Sequence, residues 1–161
     1  MPRPRRPANA VEPLVGVAPL VSRWIERVLA SHEPQLTLGQ FLALRAISSE
    51  RLTAAELARR TGVSGAAVSQ LVAALEQAGW VERTRAVDDR RRQGLALSED
   101  GNRVYASAAR LVHSRVGELL SALAPPELDR LGRALERLEL ALGGAPPPRR
   151  PPPPRGRPKP R

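Results

Sequence analysis

Apolar side chains recur with helical spacing along most of this chain, and they alternate clearly only once. Val17, Val21, Trp24, Ile25, Val28 and Leu29 form a helical stripe over residues 14 to 31. Pro19 is tolerable there only in the first turn, because proline has no N–H to continue the ladder. Pro34 closes the segment, and a second helix is expected near Leu38 to Ser48 with Phe41, Leu42, Leu44 and Ile47 inward.

Two short helices at an angle follow. Thr53 and Glu56 fit a capping box, and Leu57 and Ala58 face inward. Gly62 stands where a tight turn needs positive φ. Ser64 can cap the next helix, in which Val68, Leu71, Val72 and Leu75 fall at i, i+3, i+4 and i+7. Gly79 ends that helix. Val81 and Thr84 then lead through Ala86, Val87, Asp88 and Asp89 to Arg90, Arg91 and Arg92, and Leu95 and Leu97 alternate with Ala96 in a return strand. A helix-turn-helix followed by an arginine-tipped hairpin is a winged helix. Ser98 caps a long helix with Asp100 in its first turn and with Val104, Leu111, Val112, Val116, Leu119, Leu120 and Leu123 on its apolar face. Pro125 and Pro126 break it. Leu128, Leu131, Leu135, Leu138 and Leu142 then form a heptad seam that wants a helical partner.

This stretch resembles the MarR family of bacterial winged-helix transcription factors. The matching residues are Val68-Ser69-Gln70-Leu71-Val72 with Leu75-Glu76, then Gly79-Trp80-Val81-Glu82-Arg83, and the wing Asp89-x-Arg91 followed by Leu95-x-Leu97-Ser98-x-x-Gly101. Leu36-Thr37-Leu38-x-Gln40-Phe41-x-x-Leu44 is similar to the start of that family's DNA-binding lobe, and the weaker resemblance spans roughly residues 14 to 143. It implies a mainly α fold with a small β-hairpin wing, a winged helix-turn-helix with flanking dimerisation helices. The DNA-binding lobe is expected at about 36–98 and the dimerisation helices at about 14–31 and 99–143, within a domain of 11–144. The resemblance also implies that the first and last helices interlock in a homodimer, and that Asp89 orients Arg91 through an ion pair. The family usually has threonine then arginine where this chain has Ser69 and Gln70, and threonine where it has Ser98.

Charge adds a second layer. Of the net charge of +10, residues 1–10 supply three arginines and residues 145–161 five arginines and one lysine, without acids. The middle, with 17 arginines against 16 acids, is nearly neutral. Both arms are expected to be disordered, and their charge suggests a polyanion partner. Of the 26 basic residues 25 are arginine, which with abundant Ala, Gly and Pro suggests a GC-rich genome and weakens arginine richness as a functional sign. Residues 144–161 hold 9 of the 17 prolines. Within them Arg155, Gly156, Arg157, Pro158 and Lys159 resemble an AT-hook, a minor-groove motif for A·T-rich DNA. Low-complexity Pro/Arg sequence meeting the pattern by chance is the other reading, and the chain's one lysine inside the motif favours the first.

The second helix of the turn is expected in the major groove. Its outward face carries Ala66, Ser69, Gln70 and Ala73, with Ser64 and Gly65 at the tip. Gln70 can pair with adenine, and Ser69 can donate to a base or a phosphate. No Lys or Arg lies between Thr61 and Glu82, so affinity is expected to fall to the arms and the wing, with Arg83 and Arg85 on its first strand and Arg90, Arg91 and Arg92 at its tip. The partner is therefore double-stranded DNA. A sequence-specific regulator, a repressor released by an effector, is the main reading; an architectural protein binding A·T-rich DNA by shape is the alternative.

Without cysteines there are no disulfides, thiol sensors or cysteine–zinc sites. His32 and His113 have no nucleophile pattern and no ligand spacing around them, so neither catalysis, a metal nor a cofactor is expected. The resemblance implies a small phenolic or anionic effector, for which Trp24, Arg27, His32, Arg45 and His113 are the lining candidates, against a reading in which Trp24 is core and the rest are solvated. No apolar run approaches the ~18 residues of a membrane span and no signal core follows the basic start, so a cytoplasmic place is expected.

Overall fold

The computed structural model describes residues 8–85 and 93–144. Its elements are α1 (Ala8–Ala30), α2 (Leu38–Ser49), α3 (Ala54–Thr61), α4 (Gly65–Gln77), β1 (Val81–Arg85), β2 (Gln93–Leu97), α5 (Glu99–Leu120) and α6 (Pro125–Gly144). The mainly α winged-helix architecture with one hairpin is as the periodicity predicts. The chain divides between Ala124 and Pro125 into two units, and α6 is the described part of the second.

In the first unit the core gathers Leu29 of α1, Phe41, Leu44 and Ile47 of α2, Leu57 of α3, Val68, Val72 and Leu75 of α4, and Ala108 and Val112 of α5. Val81 and Leu95 bring the hairpin onto the same core. The strands pair antiparallel from Val81↔Leu97 to Arg85↔Gln93. Leu52, buried in the connection before α3, adds a third rung: its carbonyl accepts from the Leu95 N–H at 2.7 Å. A single backbone bond thus fixes the hairpin to the start of the helix-turn-helix.

Several expectations change. Pro19 lies in the middle of α1, not in its first turn, because the helix begins at Ala8. The missing N–H leaves the Val15 carbonyl without its helical donor, on a stretch exposed enough for water to take its place. Leu42 points outward and Ala43 is buried instead, since at about 100° per residue position 43 borders the arc holding Phe41, Leu44 and Ile47, whereas position 42 lies well away from it. Val17, Val21 and Leu119 keep the stripe's phase but remain about half exposed, because nothing within this unit covers that end of α1 and α5. The long helix stops at Leu120, so Leu123 lies in the turn beyond it, and Pro125 and Pro126 open α6, where the first turn needs no proline N–H. Residues 8 to 10, expected in the basic arm, are helical.

Gly101 in α5 is the tightest position. A Cβ built there would overlap the Trp80 carbonyl, whereas one on Gly117 of the same helix would meet nothing within 4 Å. Gly101→Ala should therefore lower stability by about 1–3 kcal/mol or more. Gly117→Ala should raise it by up to about 1 kcal/mol through helix propensity. Urea midpoints at one protein concentration check this; an unshifted midpoint for Gly101→Ala would exclude the close approach.

Candidate nucleic-acid interface

The helix-turn-helix is defined at each joint by a local hydrogen bond. Thr53 Oγ1 accepts from the Glu56 N–H at 3.2 Å, and Glu56 Oε2 accepts from the Thr53 N–H at 2.8 Å, the reciprocal capping box that starts α3. Gly62 follows at φ 67°, the left-handed conformation that ends α3 and turns the chain. Ser64 Oγ then accepts from the Ala67 N–H and starts α4. Val68, Val72 and Leu75 are buried, which leaves Ser64, Gly65, Ala66, Ser69, Gln70 and Ala73 exposed on the opposite face. This is the face expected to enter the major groove, and the structure presents it uncovered within the first unit.

The C-terminus of α4 closes with Gly79 at φ 74°. Its N–H reaches the Glu76 carbonyl at 3.0 Å and the Trp80 N–H reaches Leu75 at 2.9 Å, so orphan carbonyls of the helix end are satisfied. The chain enters β1 at once. Its return through β2 ends at Ser98, whose Oγ donates to the Gly79 carbonyl at 2.6 Å and accepts from the Gly101 N–H at 2.9 Å. One hydroxyl therefore joins the end of α4, the end of the wing and the start of α5.

Arg83, expected to face DNA, is held by Glu76 of α4. Its Nε donates to Glu76 Oε1 at 2.7 Å and its Nη2 to Oε2 at 3.3 Å, a fork that spans from α4 to β1. That hydrogen bond, and then the carboxylate charge, raise the Arg83 pKa above its ordinary value. The side chain remains half exposed, so the pair adds direction rather than much stability. Arg90, Arg91 and Arg92, with the AT-hook-like Arg155, Gly156, Arg157, Pro158 and Lys159, lie outside the described residues.

The proposed effector residues are not gathered in one place. Trp24 and Arg27 line a groove of about 370 Å³ between α1 and α5 with Val17, Val21, Arg23 and Leu119. His32 is buried elsewhere: Nδ1 donates to the Pro34 carbonyl at 2.7 Å, and Nε2 shares a 2.7 Å hydrogen bond with Ser107 Oγ of α5. It fastens the turn after α1 to α5. Arg45 and His113 are exposed on α2 and α5 and line neither this groove nor the cavity of about 480 Å³ beside Ser107 and Arg110. Sequence reasoning missed Arg23 of the groove, which sits beside Trp24. It also missed the Thr37–Gln40 capping box that starts α2, although the S/T-x-x-E/Q signature was there to read.

Known proteins place this geometry. Residues 35–92 match the MarR family. The HTH-type transcriptional repressor Rv2887 of Mycobacterium tuberculosis is 34% identical over 104 residues, covering 64% of this chain and 75% of that protein. The crystal structure of Rv2887 in complex with p-aminosalicylic acid superposes with a TM-score of 0.67 at 29% identity, over 80% of this chain and 96% of that one. FabT of Streptococcus pneumoniae, solved in complex with DNA, shares the fold with a TM-score of 0.70 at 20% identity, over 84% of this chain and 96% of its own.

The Arg83 fork gives a test of its role. If Arg83 acts by aligning β1 with α4, Glu76→Ala and Arg83→Ala should weaken DNA binding to the same extent, and the double variant should lose no more. An Arg83 that neutralises a phosphate would instead show its loss in Arg83→Ala alone, with a salt slope shallower by about 0.9.

Proposed function

The chain belongs to the MarR family of DNA-binding transcriptional regulators, and from that premise we propose that it is a repressor acting as a homodimer on a pseudo-palindromic operator, in the cytoplasm. The observation that carries this reading is α4, capped at Ser64, packed by Val68, Val72 and Leu75, and exposed along Ser64, Gly65, Ser69 and Gln70. One such helix per protomer fits half-sites about one helical turn, ~10 bp, apart. FabT, of the same fold, was solved on DNA, and Rv2887 is named a repressor, which supports the regulator over the architectural alternative. Among the described residues no helix is long and apolar enough to cross a membrane.

In this reading Ser64, Gly65, Ser69 and Gln70 face the major groove, while Arg90, Arg91 and Arg92 supply wing contacts, with Arg91 in the minor groove. The effector is an aromatic or other small anion, and the groove at Trp24 and Arg27 is its site: apolar side chains line it, and Arg23 and Arg27 offer guanidinium groups to a carboxylate. The p-aminosalicylic acid complex of Rv2887 supports that ligand class. His32, Arg45 and His113 fall outside the groove.

Sedimentation and operator titration test the proposal together. A dimer at micromolar concentration that binds a selected palindrome far above shuffled DNA is expected; a monomer on a single half-site contradicts it. Arg91→Ala should weaken all sequences by roughly 1–3 kcal/mol, and parent-like binding at moderate salt would remove the wing from the interface.

The C-terminal arm is proposed as a tethered minor-groove anchor, with Arg155, Gly156, Arg157, Pro158 and Lys159 as its motif. Deleting residues 145–161 removes six cations per protomer, and the salt slope should become shallower by up to about 0.9 for each phosphate no longer neutralised. The weakening should be larger on A·T-flanked operators than on G·C-flanked ones, where the guanine amino group obstructs the minor groove. Equal weakening on both would reduce the arm to a diffuse cation.

A further inference from the structure

We propose that Ser69 is a hydrogen-bond acceptor in the major groove and selects a base that carries an exocyclic amino group, adenine or cytosine. The inference rests on the DNA-binding reading above and adds which base chemistry the helix requires.

The starting point is where the hydroxyl hydrogen already goes. Ser69 is exposed on α4, and its Oγ donates to the Gly65 carbonyl one turn back at 2.9 Å. A serine hydroxyl has one hydrogen and two lone pairs. With the hydrogen committed inside the helix, what Ser69 turns outward is acceptor capacity. Donation to guanine O6 or N7, or to thymine O4, would exchange the Gly65 bond for another and gain none. Acceptance from an amino group adds a bond and keeps the first, and a hydroxyl that donates is polarised into a better acceptor. In the major groove the amino donors are adenine N6 and cytosine N4; guanine offers acceptors there, and thymine an acceptor and a methyl group.

The surroundings do not reverse this polarity. The exposed neighbours are Gly65, Ala66 and Ala73, without polar side chains, and Gln70, which carries both a donor and an acceptor. No Lys or Arg occurs between Thr61 and Glu82, and Glu76, the one charged residue of α4, is engaged by Arg83. Ser64 is the opposite case. Its Oγ accepts from the Ala67 N–H, so its hydrogen is free for a phosphate oxygen. Two serines five positions apart in sequence thus have complementary roles, Ser64 a donor to the DNA backbone and Ser69 an acceptor from a base.

The test uses the full-length protein and an operator selected from random DNA. Ser69→Ala locates the base position whose preference relaxes. The amino group at that position is then deleted by substituting purine for adenine, or 2-pyrimidinone for cytosine. The expected result is adenine or cytosine at the position, a roughly three- to tenfold loss for the parent on the deleted base, and much less for the Ser69→Ala protein. Guanine or thymine at the position, equal losses in both proteins, or no relaxed position at all would overturn the inference while leaving specific DNA binding intact. A parent that fails to prefer the selected operator over its shuffled sequence would fail earlier, on the regulator reading, and would take this inference with it.

Discussion

The approach of α5 to the Trp80 carbonyl is the constraint on which the rest of the DNA-binding lobe depends. That carbonyl accepts from the Ser98 N–H at 3.1 Å, and Gly101 lies so close to it that no side chain fits. Ser98 Oγ meanwhile bonds the Gly79 carbonyl and the Gly101 N–H, and the Ser98 carbonyl accepts from both the backbone and the side chain of Asn102. Within a few residues the last turn of α4, both ends of the wing and the first turn of α5 share one hydrogen-bond network. A long helix that leans or slides against the hydrophobic core cannot do so without moving the end of α4. The groove lined by Leu119 and Trp24, the proposed effector site, is on the same α5 that Ser98 caps, so it has a mechanical connection to the end of α4.

Charge and shape are divided along the chain. The recognition face of α4 has no cation, and the half-exposed Arg83 on the adjoining strand is turned onto Glu76. Six of the excess cations lie in residues 145–161 and three in residues 1–10. In the proposed reading, affinity from counterion release belongs to the arms and the wing, and discrimination to short polar side chains near the bases. Small residues such as Gly65, Ala66 and Ala73 permit that approach, while a hydroxyl whose hydrogen is already bound lends it direction.

What the sequence made legible is local. The caps at Thr53, Ser64 and Ser98 and the turns at Gly62 and Gly79 are short-range devices, each written in two to four consecutive residues, and all are present. The stripe of Val68, Val72 and Leu75 follows from the helical period alone. Long-range pairings were not legible. Leu52 meets Leu95 across 43 residues and His32 meets Ser107 across 75, and neither pairing leaves a spacing to read. Arg83 shows what residue type leaves out: an arginine leading to a basic hairpin is also faced by a carboxylate seven residues earlier. Pro19 shows the same for a rule, since a proline in mid-helix survives where water can reach the abandoned carbonyl.

The exposed apolar surface argues for what is absent from a single chain. Val11, Leu14, Val15, Val17, Leu20 and Val21 of α1 are each between 43% and 63% exposed, and on α6 Leu135, Leu140 and Leu142 are more than half exposed. Fully burying one such side chain is worth about 1.5–3 kcal/mol, so even partial coverage of several can drive association. Apolar surface of this kind, on each unit taken by itself, marks an interaction site, and a second copy of the same chain is the proposed occupant. Val17, Leu20 and Val21 also line the groove beside Trp24 and Arg27. The proposed partner and the proposed effector therefore address one surface. Whatever geometry of the pair the proposed ligand prefers, it would stabilise by its difference in affinity between the two arrangements, and DNA, proposed to bind at the other end of α5, would by the same linkage alter the affinity for the ligand.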